Sequence, residues 1–249
     1  MDNERQHRIL EILRQQNFAS VDDLCRTLYS SGATIRRDLT ELENRGMIKR
    51  VRGGAIAFNG INSDLPFLLR SNRNVEEKKR IAQLAVQFVN ESTTLFIDSS
   101  STSLYLAHEL TQFQNVSVIT NCIDIAYMLS IHSNAKVYAS GGQIRNSTTM
   151  VGPTALSMVN NRFADLFFFS CAALSVEHGA TETNEDSVAI KRAMYANSGK
   201  RILLCDHTKF GSFFSYRCFD LDSLDIIITD RKPPEEFLRG LPASIQLRY

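Results

Sequence analysis

The chain has 249 residues, of which 43% are hydrophobic and 22% are charged, with a formal net charge of +1. This length allows a small domain plus a medium one, and no apolar run is long enough to predict a transmembrane helix. The polar N-terminus lacks the apolar core of a signal peptide, and the five cysteines form no C-x-x-C pair. We therefore expect free thiols and a cytoplasmic location.

The first helices follow from apolar spacing and capping residues. Apolar residues at helical spacing predict a first helix over about residues 3–16. Ser20 followed by Asp23 is a variant of the capping box, and it opens a second helix. The inward positions of that helix are Val21, Leu24, Cys25 and Leu28. A turn over Tyr29–Gly32 ends it.

The third helix has an apolar face and a basic face. Ile35, Leu39 and Leu42 recur at helical spacing, so Arg36 and Arg37 point away from the core. We predict this helix from Ala33 to Arg45, with Ser31 capping its start and Gly46 closing its end. Residues 31–60 carry six Lys and Arg against three Asp and Glu, which weakly supports a nucleic-acid-binding face.

A basic hairpin is predicted directly after the third helix. Met47–Ile48 leads into a basic segment that Gly53 and Gly54 close. Three short helices followed by such a hairpin outline a winged helix-turn-helix. A helical subdomain with an incidental basic surface is the alternative. The predicted DNA contacts are Thr34, Arg36 and Arg37 on the helix, Ser31 at its cap, and Lys49, Arg50 and Arg52 on the wing.

The remainder of the chain alternates apolar strands with helices. Buried strands are predicted at 94–97, 116–119, 137–139, 166–169, 202–205 and 226–228, with helices between them. Continuous apolar strands indicate a mainly parallel sheet covered on both faces, and hence an α/β domain. Residues 59–74 mix Gly, Ser, Pro and Asn. We predict a DNA-binding domain at 1–58, a linker at 59–74 and an α/β domain at 75–249.

Polar residues follow several of these strands where a ligand would bind, since ligands of open α/β sheets lie outside the carboxyl ends of the strands. Hydroxyls before a helix, glycines and a lysine suit a small polyhydroxylated phosphate. The plainer alternative is that the serines cap a helix and the glycines turn the chain. The predicted effector contacts are Asp98, Ser99, Ser100, Ser101, Thr102, Thr120, Asn121, Gly141, Gly142 and Lys209.

The sequence lacks the motifs that nucleotide binding, serine hydrolysis and zinc-protease chemistry require. The sequence has no G-x-G-x-x-G after a strand, no phosphate-binding P-loop and no G-x-S-x-G elbow. His108–Glu109 is followed by Gln112, so it is not a zinc-protease motif, and the other histidines have no ligand partner at metal spacing. We therefore predict no cofactor and no metal.

Several blocks of the sequence strongly resemble the DeoR family of bacterial transcriptional regulators. They are 34–39 (TIRRDL), 50–55 (RVRGGA), 76–82 (EEKKRIA), 97–98 (ID), 119–121 (ITN), 140–142 (SGG), 190–194 (IKRAM), 206–210 (DHTKF) and 228–230 (ITD). The resemblance implies that the second domain is a sugar-phosphate sensor related in fold to ribose-5-phosphate isomerases and CoA transferases. It also implies homo-oligomers that bind operator DNA and are usually released by a phosphorylated sugar.

Two departures from the family pattern affect the sensor. Ser99–Ser100 stand where the family commonly has a Gly pair, and the serine side chains narrow the loop and add hydroxyls. Residues 170–175 lack the Gly and the acid that many members have there, with Ala173 among the replacements. These changes leave open which effector is bound, and whether the sensor still responds.

Three hypotheses follow from these residues. The favoured one is a repressor of a sugar-catabolic operon whose operator binding a phosphorylated sugar modulates. An activator would use the same residues. The alternative from another class is a sugar-phosphate isomerase with an accessory DNA-binding domain, in which Asp98, Asp206 and Lys209 supply the acid and base groups.

Overall fold

A computed structural model describes residues 4–16, 18–44, 48–51, 53–57 and 67–249. The chain divides into two compact units, Met1–Leu69 and Arg70–Tyr249. The division falls inside the segment 59–74 that the sequence predicts as a linker. Among the described helices, none combines the length and apolar character needed to cross a membrane.

The N-terminal unit consists of three helices and a small antiparallel sheet. Its elements are α1 (Glu4–Gln16), β1 (Phe18–Ser20), α2 (Val21–Leu28), α3 (Gly32–Asn44), β2 (Ile48–Val51) and β3 (Gly54–Ala57). The strands pair in the order β1-β3-β2. This arrangement confirms the predicted helices and the hairpin. Strand β1 was not predicted, because three residues are too few to show an alternating pattern.

Side chains at the predicted caps begin the second and third helices. Ser20 Oγ accepts a hydrogen bond from the Asp23 N–H at 3.0 Å, and Ser31 Oγ accepts one from the Thr34 N–H at 3.2 Å. Each bond satisfies an N–H group that has no partner inside the helix. Gly46, the predicted end of the third helix, lies outside the described residues.

The C-terminal unit is built on a seven-stranded parallel sheet. The helices of this part of the chain are α4 (Phe67–Ser71), α5 (Val75–Ala85), α6 (Ser101–Glu109), α7 (Ile123–His132), α8 (Pro153–Asn160), α9 (Glu185–Ala196) and α10 (Glu235–Arg239). The sheet contains β4 (Thr94–Ile97), β5 (Ser117–Thr120), β6 (Lys136–Ala139), β9 (Ala164–Phe169), β12 (Ser198–Leu204), β14 (Ile226–Ile228) and β15 (Gln246–Arg248). Their order is β15-β14-β12-β9-β4-β5-β6.

Two smaller sheets complete this unit. The hairpin of β7 (Gln143–Arg145) and β8 (Thr149–Val151) follows β6. A three-stranded antiparallel sheet contains β10 (Ala173–Ser175), β11 (Gly179–Glu182) and β13 (Tyr216–Phe219), in the order β10-β11-β13. These short strands, like β15, were not predicted. The six strands that were predicted are all present and belong to the parallel sheet.

The core of the C-terminal unit centres on β9. Phe167, Phe168 and Phe169 are fully buried, and the rings of Phe167 and Phe169 stack with centroids 4.5 Å apart. A strand covered on both faces explains this unbroken apolar run. The structure therefore confirms both predicted folds, an α/β domain with a parallel sheet and a small winged helix-turn-helix.

Replacing Gly142 tests how closely the β7–β8 hairpin packs against the end of β6. Its φ is +99°, and a Cβ atom there would lie 2.4 Å from the Val151 carbonyl oxygen. We expect Gly142→Ala to lower the free energy of unfolding by about 2–4 kcal/mol, since backbone strain adds to a steric clash. Gly211→Ala is the matched control, because Gly211 has φ +78° but nothing within 4 Å of its Cβ position. Equal losses in urea unfolding followed by circular dichroism would contradict the steric account.

Candidate functional site

Helix α3 presents the predicted DNA-contacting residues on its exposed side. Ile35 and Leu39 are fully buried, while Arg36 and Arg37 are exposed. Thr34 is half-buried, and its hydroxyl lies 2.8 Å from Ser31 Oγ. The helix thus offers two guanidinium groups and a capped N-terminus to solvent, a combination that fits a major groove.

A partly buried ion pair between Arg5 and Asp38 links α1 to α3. Asp38 is 3% exposed and is bound by the Arg5 guanidinium, whose Nη2 donates to Asp38 Oδ1 at 3.2 Å. This hydrogen bond raises the pKa of Arg5. Gln6 Nε2 also donates to Glu41 Oε2 at 2.9 Å. These contacts set the direction in which Arg36 and Arg37 project.

The wing is hydrogen-bonded to the same helix. The Arg50 N–H donates to Glu43 Oε1 at 2.8 Å, and Arg50 Nη1 donates to Thr40 Oγ1 at 3.0 Å. Arg50 is therefore an exposed cation whose position is held by α3. Arg52 and the side chain of Lys49, both predicted DNA contacts, lie outside the described residues.

In the C-terminal unit, Lys209 is joined to the end of β9. Its Nζ donates to Ser170 Oγ at 2.6 Å and lies 3.7 Å from Asp206 Oδ2. The Ser170 N–H in turn donates to Asp98 Oδ2 at 3.1 Å. Burial is the largest effect on Lys209 and disfavours its ammonium, but the charge of Asp206 together with Cys171 and Cys205 raises the pKa of Lys209. Lys209 is thus a charged group at the carboxyl ends of β12 and β9.

Asp98 is part of the internal framework of the unit. It is 1% exposed, and Ser103 Oγ donates to its Oδ1 at 2.5 Å. Lys191 Nζ lies 3.0 Å from Asp98 Oδ2 and also donates to Glu182 and to the Ser170 carbonyl. Burial disfavours the Lys191 ammonium, yet Glu182 and Asp98 raise its pKa. Asp98 was predicted as an effector contact; the structure places its carboxylate in contact with Lys191 and Ser103.

The start of α6 faces the same region. Ser100 caps the helix by accepting from the Ser103 N–H at 3.1 Å. The N–H groups of Ser101 and Thr102 lie in the first turn of α6, where no carbonyl of the helix is placed to accept from them. Ser99 Oγ lies 2.8 Å from Thr149 Oγ1 on the hairpin. Within the described chain, the buried atoms Thr102 Oγ1 and Asn121 Oδ1 have no hydrogen-bond partner.

The predicted effector residues do not all come together. Thr120 ends β5, which is next to β4 in the sheet, and Asn121 follows it. The Thr120 hydroxyl accepts from the Cys122 N–H at 3.1 Å. Gly141 and Gly142 follow β6, whereas Lys209 follows β12, with three strands between them. At about 4.8 Å per strand, this spacing places the strand ends roughly 19 Å apart. A single sugar phosphate is too short to contact both ends.

Three residues of this site were missed by the sequence analysis: Ser170, Glu182 and Lys191. Lys191 belongs to one of the family-like blocks, but a lysine on a helix gives no local sign that it is buried. Glu182 lies on β11, one of the strands that were not predicted. Ser170 follows a strand that was predicted, and its polar side chain at a carboxyl end was the available signal.

Comparison with known proteins identifies the family. A model of the DeoR C-terminal sensor domain matches residues 73–231, and one of the DeoR-like helix-turn-helix domain matches residues 5–60. The chain belongs to the DeoR family. It is therefore a DNA-binding transcriptional regulator, as the sequence blocks predicted.

Relatives of this DeoR-family protein span nearly its whole length. It is 36% identical to the HTH-type transcriptional regulator GolR of Listeria innocua, over 97% of this chain and 98% of that protein. It is 32% identical to the HTH-type transcriptional repressor GlcR of Bacillus subtilis, over 94% and 90%. It is 29% identical to the glycerol-3-phosphate regulon repressor of Escherichia coli K12, over 96% and 94%.

Solved structures similar to the chain are more distant. A D-ribose-5-phosphate isomerase in complex with phospho-erythronic acid matches 55% of this chain and 54% of its own, with a TM-score of 0.41 and 13% identity. The translation initiation factor eIF-2B of Pyrococcus horikoshii matches 94% and 90%, with a TM-score of 0.48 and 13% identity. Likenesses this distant carry no information about function.

A second polar cluster in the DeoR sensor domain joins residues that are far apart in sequence. Ligand atoms of Glu77, His207 and Asp230 lie within 4.8 Å of one another. His207 Nδ1 is 2.9 Å from Asp230 Oδ2, and Arg231 Nε donates to the same oxygen at 2.8 Å. Arg231 Nη2 also donates to Glu77 Oε1 at 3.4 Å. Because both carboxylates already bond to this guanidinium, we assign no metal to the cluster.

The Lys191 contacts predict a large loss of stability when this lysine is replaced. In Lys191→Met, Asp98 and Glu182 lose the buried ammonium that contacts both carboxylates, so we expect the free energy of unfolding to fall by about 3–5 kcal/mol. Lys79→Met is the matched control, since Lys79 is exposed and pairs with Glu76 on the same helix at 2.8 Å. It should change stability by less than about 1 kcal/mol. Similar urea midpoints for both variants would contradict the structural role of Lys191.

Proposed function

We propose that this DeoR-family protein represses a sugar-catabolic operon and that a phosphorylated sugar modulates its operator binding. Two relatives with near-complete coverage carry the word repressor in their names, and one of them names a glycerol-3-phosphate regulon. The observation that carries the proposal is a chain of hydrogen bonds from Lys209 to Ser170, from Ser170 to Asp98, and from Ser103 in the first turn of α6 to the same Asp98 carboxylate. A lysine near a helix N-terminus suits a phosphate dianion.

In this proposal, α3 enters the major groove of the operator. Arg36 and Arg37 read base edges, with Thr34 beside them, because both guanidinium groups are exposed on the side opposite the buried face. Ser31 contacts a DNA phosphate at the start of the helix. On the wing, Lys49, Arg50 and Arg52 contact the DNA backbone and position the protein without specifying sequence.

The effector site is proposed at the carboxyl ends of β12, β9, β4 and β5. Lys209 and the N–H groups of Ser101 and Thr102 bind the phosphate. Ser99, Thr102, Thr120 and Asn121 supply polar groups for the sugar, and the unpartnered Thr102 Oγ1 and Asn121 Oδ1 support this assignment. Gly141 and Gly142 belong to the support of the β7–β8 hairpin, because a Cβ at Gly142 would meet the Val151 carbonyl. Asp98 and Ser100 position the site without touching the ligand.

A sugar-phosphate isomerase activity is not proposed. The Asp98 carboxylate is already bonded to Lys191, Ser103 and Ser170. Burial would raise the pKa of Asp206, but the charge of Lys209 and the Thr208 hydrogen bonds outweigh it and lower this pKa. Asp206 therefore stays ionised and paired near neutral pH. Conversion of ribose 5-phosphate or glucose 6-phosphate by the purified protein would overturn this assignment.

The protein is also proposed to act as a homo-oligomer in the cytoplasm. Helix-turn-helix proteins commonly bind two half-sites one helical turn apart, which requires two recognition helices related by symmetry. Each chain provides one such helix, α3. A second copy of the chain therefore completes the operator-binding unit.

The arginines of α3 predict a loss of operator affinity when they are truncated. We expect Arg36→Ala and Arg37→Ala each to weaken operator binding by about 1–3 kcal/mol, since a bidentate contact to a base is lost. Arg80→Ala is the control with the same change of charge, because Arg80 is exposed on α5 in the other unit. Gel-shift titrations measure all three variants. Unchanged affinity in both α3 variants would rule out this reading surface.

Replacing Lys209 is predicted to reduce the response to the effector while operator binding is retained. We expect Lys209→Met to weaken binding of a sugar phosphate by about 1.5–3 kcal/mol, since a charge-assisted hydrogen bond is removed. Calorimetric titration with glycerol 3-phosphate, glucose 6-phosphate and ribose 5-phosphate measures this change. Lys232→Met is the control, because Lys232 is exposed and pairs only with Glu235 among the described ion pairs. An unaffected response in Lys209→Met would move the effector site elsewhere.

A further inference from the structure

Asn74 has an unusual conformation at the start of α5. It occupies the N-cap position, but its backbone is left-handed, with φ 50° and ψ 47°, and its side chain makes no capping hydrogen bond. N-cap residues normally have extended backbone, and an asparagine there accepts from the second or third N–H group of the helix. Left-handed backbone is unfavourable for a non-glycine residue, although asparagine tolerates it better than most.

The side chain of Asn74 is instead bonded to the loop that carries Lys209. Asn74 Nδ2 donates to Asp206 Oδ1 at 3.3 Å and to Thr208 Oγ1 at 3.4 Å. The same Asp206 oxygen accepts from the Thr208 N–H at 3.1 Å, while the other oxygen faces Lys209. Asn74 is therefore held in its left-handed conformation by a carboxylate whose cation belongs to the proposed phosphate site.

The residues just before Asn74 are also fastened to the sensor domain. Lys78 is 4% exposed, and its Nζ donates to the carbonyls of Arg70 and, at 2.6 Å, of Arg73. Tyr105 on α6 donates its hydroxyl to the Ser71 carbonyl at 2.9 Å. The segment 70–74 is the first part of this unit after the chain leaves the DNA-binding unit. A change at Asn74 therefore acts where the linker joins the sensor.

We propose that Asn74 is a two-position switch that couples the effector site to the linker. In one position its side chain is bonded to Asp206 and Thr208, as observed. In the other, Asn74 adopts extended backbone and caps α5 by accepting from the Glu76 or Glu77 N–H group. This inference rests on the proposed function, because it takes the anion beside Lys209 to be the signal.

Electrostatics explains how an anion would move the switch. A phosphate dianion bound by Lys209 places negative charge next to the Asp206 carboxylate, and repulsion displaces that carboxylate or favours its protonation. Either change weakens the hydrogen bond from Asn74, since a charged acceptor binds about twice as strongly as a neutral one. The released side chain then gains the capping bond, and the backbone leaves the left-handed region. In this proposal, the position bonded to Asp206 is the operator-binding state.

Two substitutions at Asn74 separate its two bonding roles. Asn74→Asp keeps the capping oxygen but cannot donate to Asp206, so it favours the capped position. Asn74→Ala has neither ability. Asn72→Ala is the matched control, since Asn72 is exposed and two residues away. Hydrogen–deuterium exchange of the first-turn amides of α5 reads the cap directly, and gel shifts read operator affinity.

Without any added phosphate, we expect Asn74→Asp to slow exchange of the Glu76 and Glu77 amides. Asn74→Ala should not slow it. Both variants should weaken operator binding at least fivefold, because both lose the bond to Asp206. Asn72→Ala should match the wild type in both measurements. Wild-type exchange and wild-type operator affinity in both Asn74 variants would overturn the switch, whether or not any effector is identified.

A second measurement tests the coupling itself, using glycerol 3-phosphate, glucose 6-phosphate and inorganic phosphate as probes. For a probe that binds the wild type in calorimetry and weakens its operator binding, the ratio of operator Kd with and without probe should fall to about one in Asn74→Ala. Retention of the wild-type ratio in Asn74→Ala overturns the role of Asn74 and leaves the effector site intact. Absence of binding to the wild type by every probe would instead count against the proposed function.

Discussion

The buried ammonium of Lys191 is the interaction on which the sensor domain depends. It joins Asp98 at the end of β4, Glu182 on β11 and the Ser170 carbonyl at the end of β9. A buried carboxylate without a cation is strongly unfavourable, so these contacts hold the parallel sheet and the small antiparallel sheet in one arrangement. The loop that starts α6 therefore has a fixed position before any ligand arrives.

This fixed framework separates the charges that build the site from those that face a ligand. Asp98 and Glu182 both contact the buried ammonium of Lys191, so each carboxylate already has a cationic partner inside the protein. Among the ion pairs of the described residues, Lys209 pairs with Asp206 at 3.7 Å, in the segment that follows the β12 strand. An arriving anion competes with a single weakly paired carboxylate for this lysine. Such a site binds an anion and at the same time disturbs Asp206.

The sequence analysis predicted the parallel sheet well because its strands are continuous apolar runs. Residues 94–97 and 226–228 are found with those bounds in β4 and β14. The antiparallel strands β10, β11 and β13 were missed because each has three or four residues, too short for an alternating pattern. The α5 helix ends at Ala85, where the backbone tightens into a 3-10 turn over Val86–Phe88.

The candidate site was predictable only in part, for a physical reason. The polar residues after Ile97, Thr120 and Leu204 can be recognised in the sequence, because hydroxyls and charges follow apolar strands there. Their partners Lys191 and Glu182 cannot be recognised in the same way, because only the packed structure shows that these two charges are buried. Asp98 was predicted as an effector contact, and its carboxylate bonds to Lys191, Ser103 and the Ser170 N–H. The distance between Gly142 and Lys209 likewise depends on strand order, which the sequence pattern does not specify.

The difference between local and long-range contacts also explains why the sequence analysis predicts Asn74 as the last residue of the linker at 59–74. Asparagine before a helix normally indicates a capped N-terminus, and the chain continues with Glu76 and Glu77, as first-turn acids should. Local preference therefore favours the capped position, while the long-range bond to Asp206 favours the left-handed one. A residue whose local and long-range preferences disagree is shifted between positions more easily than one whose contacts all favour the same position. A small change in charge at the effector site is then sufficient to move Asn74.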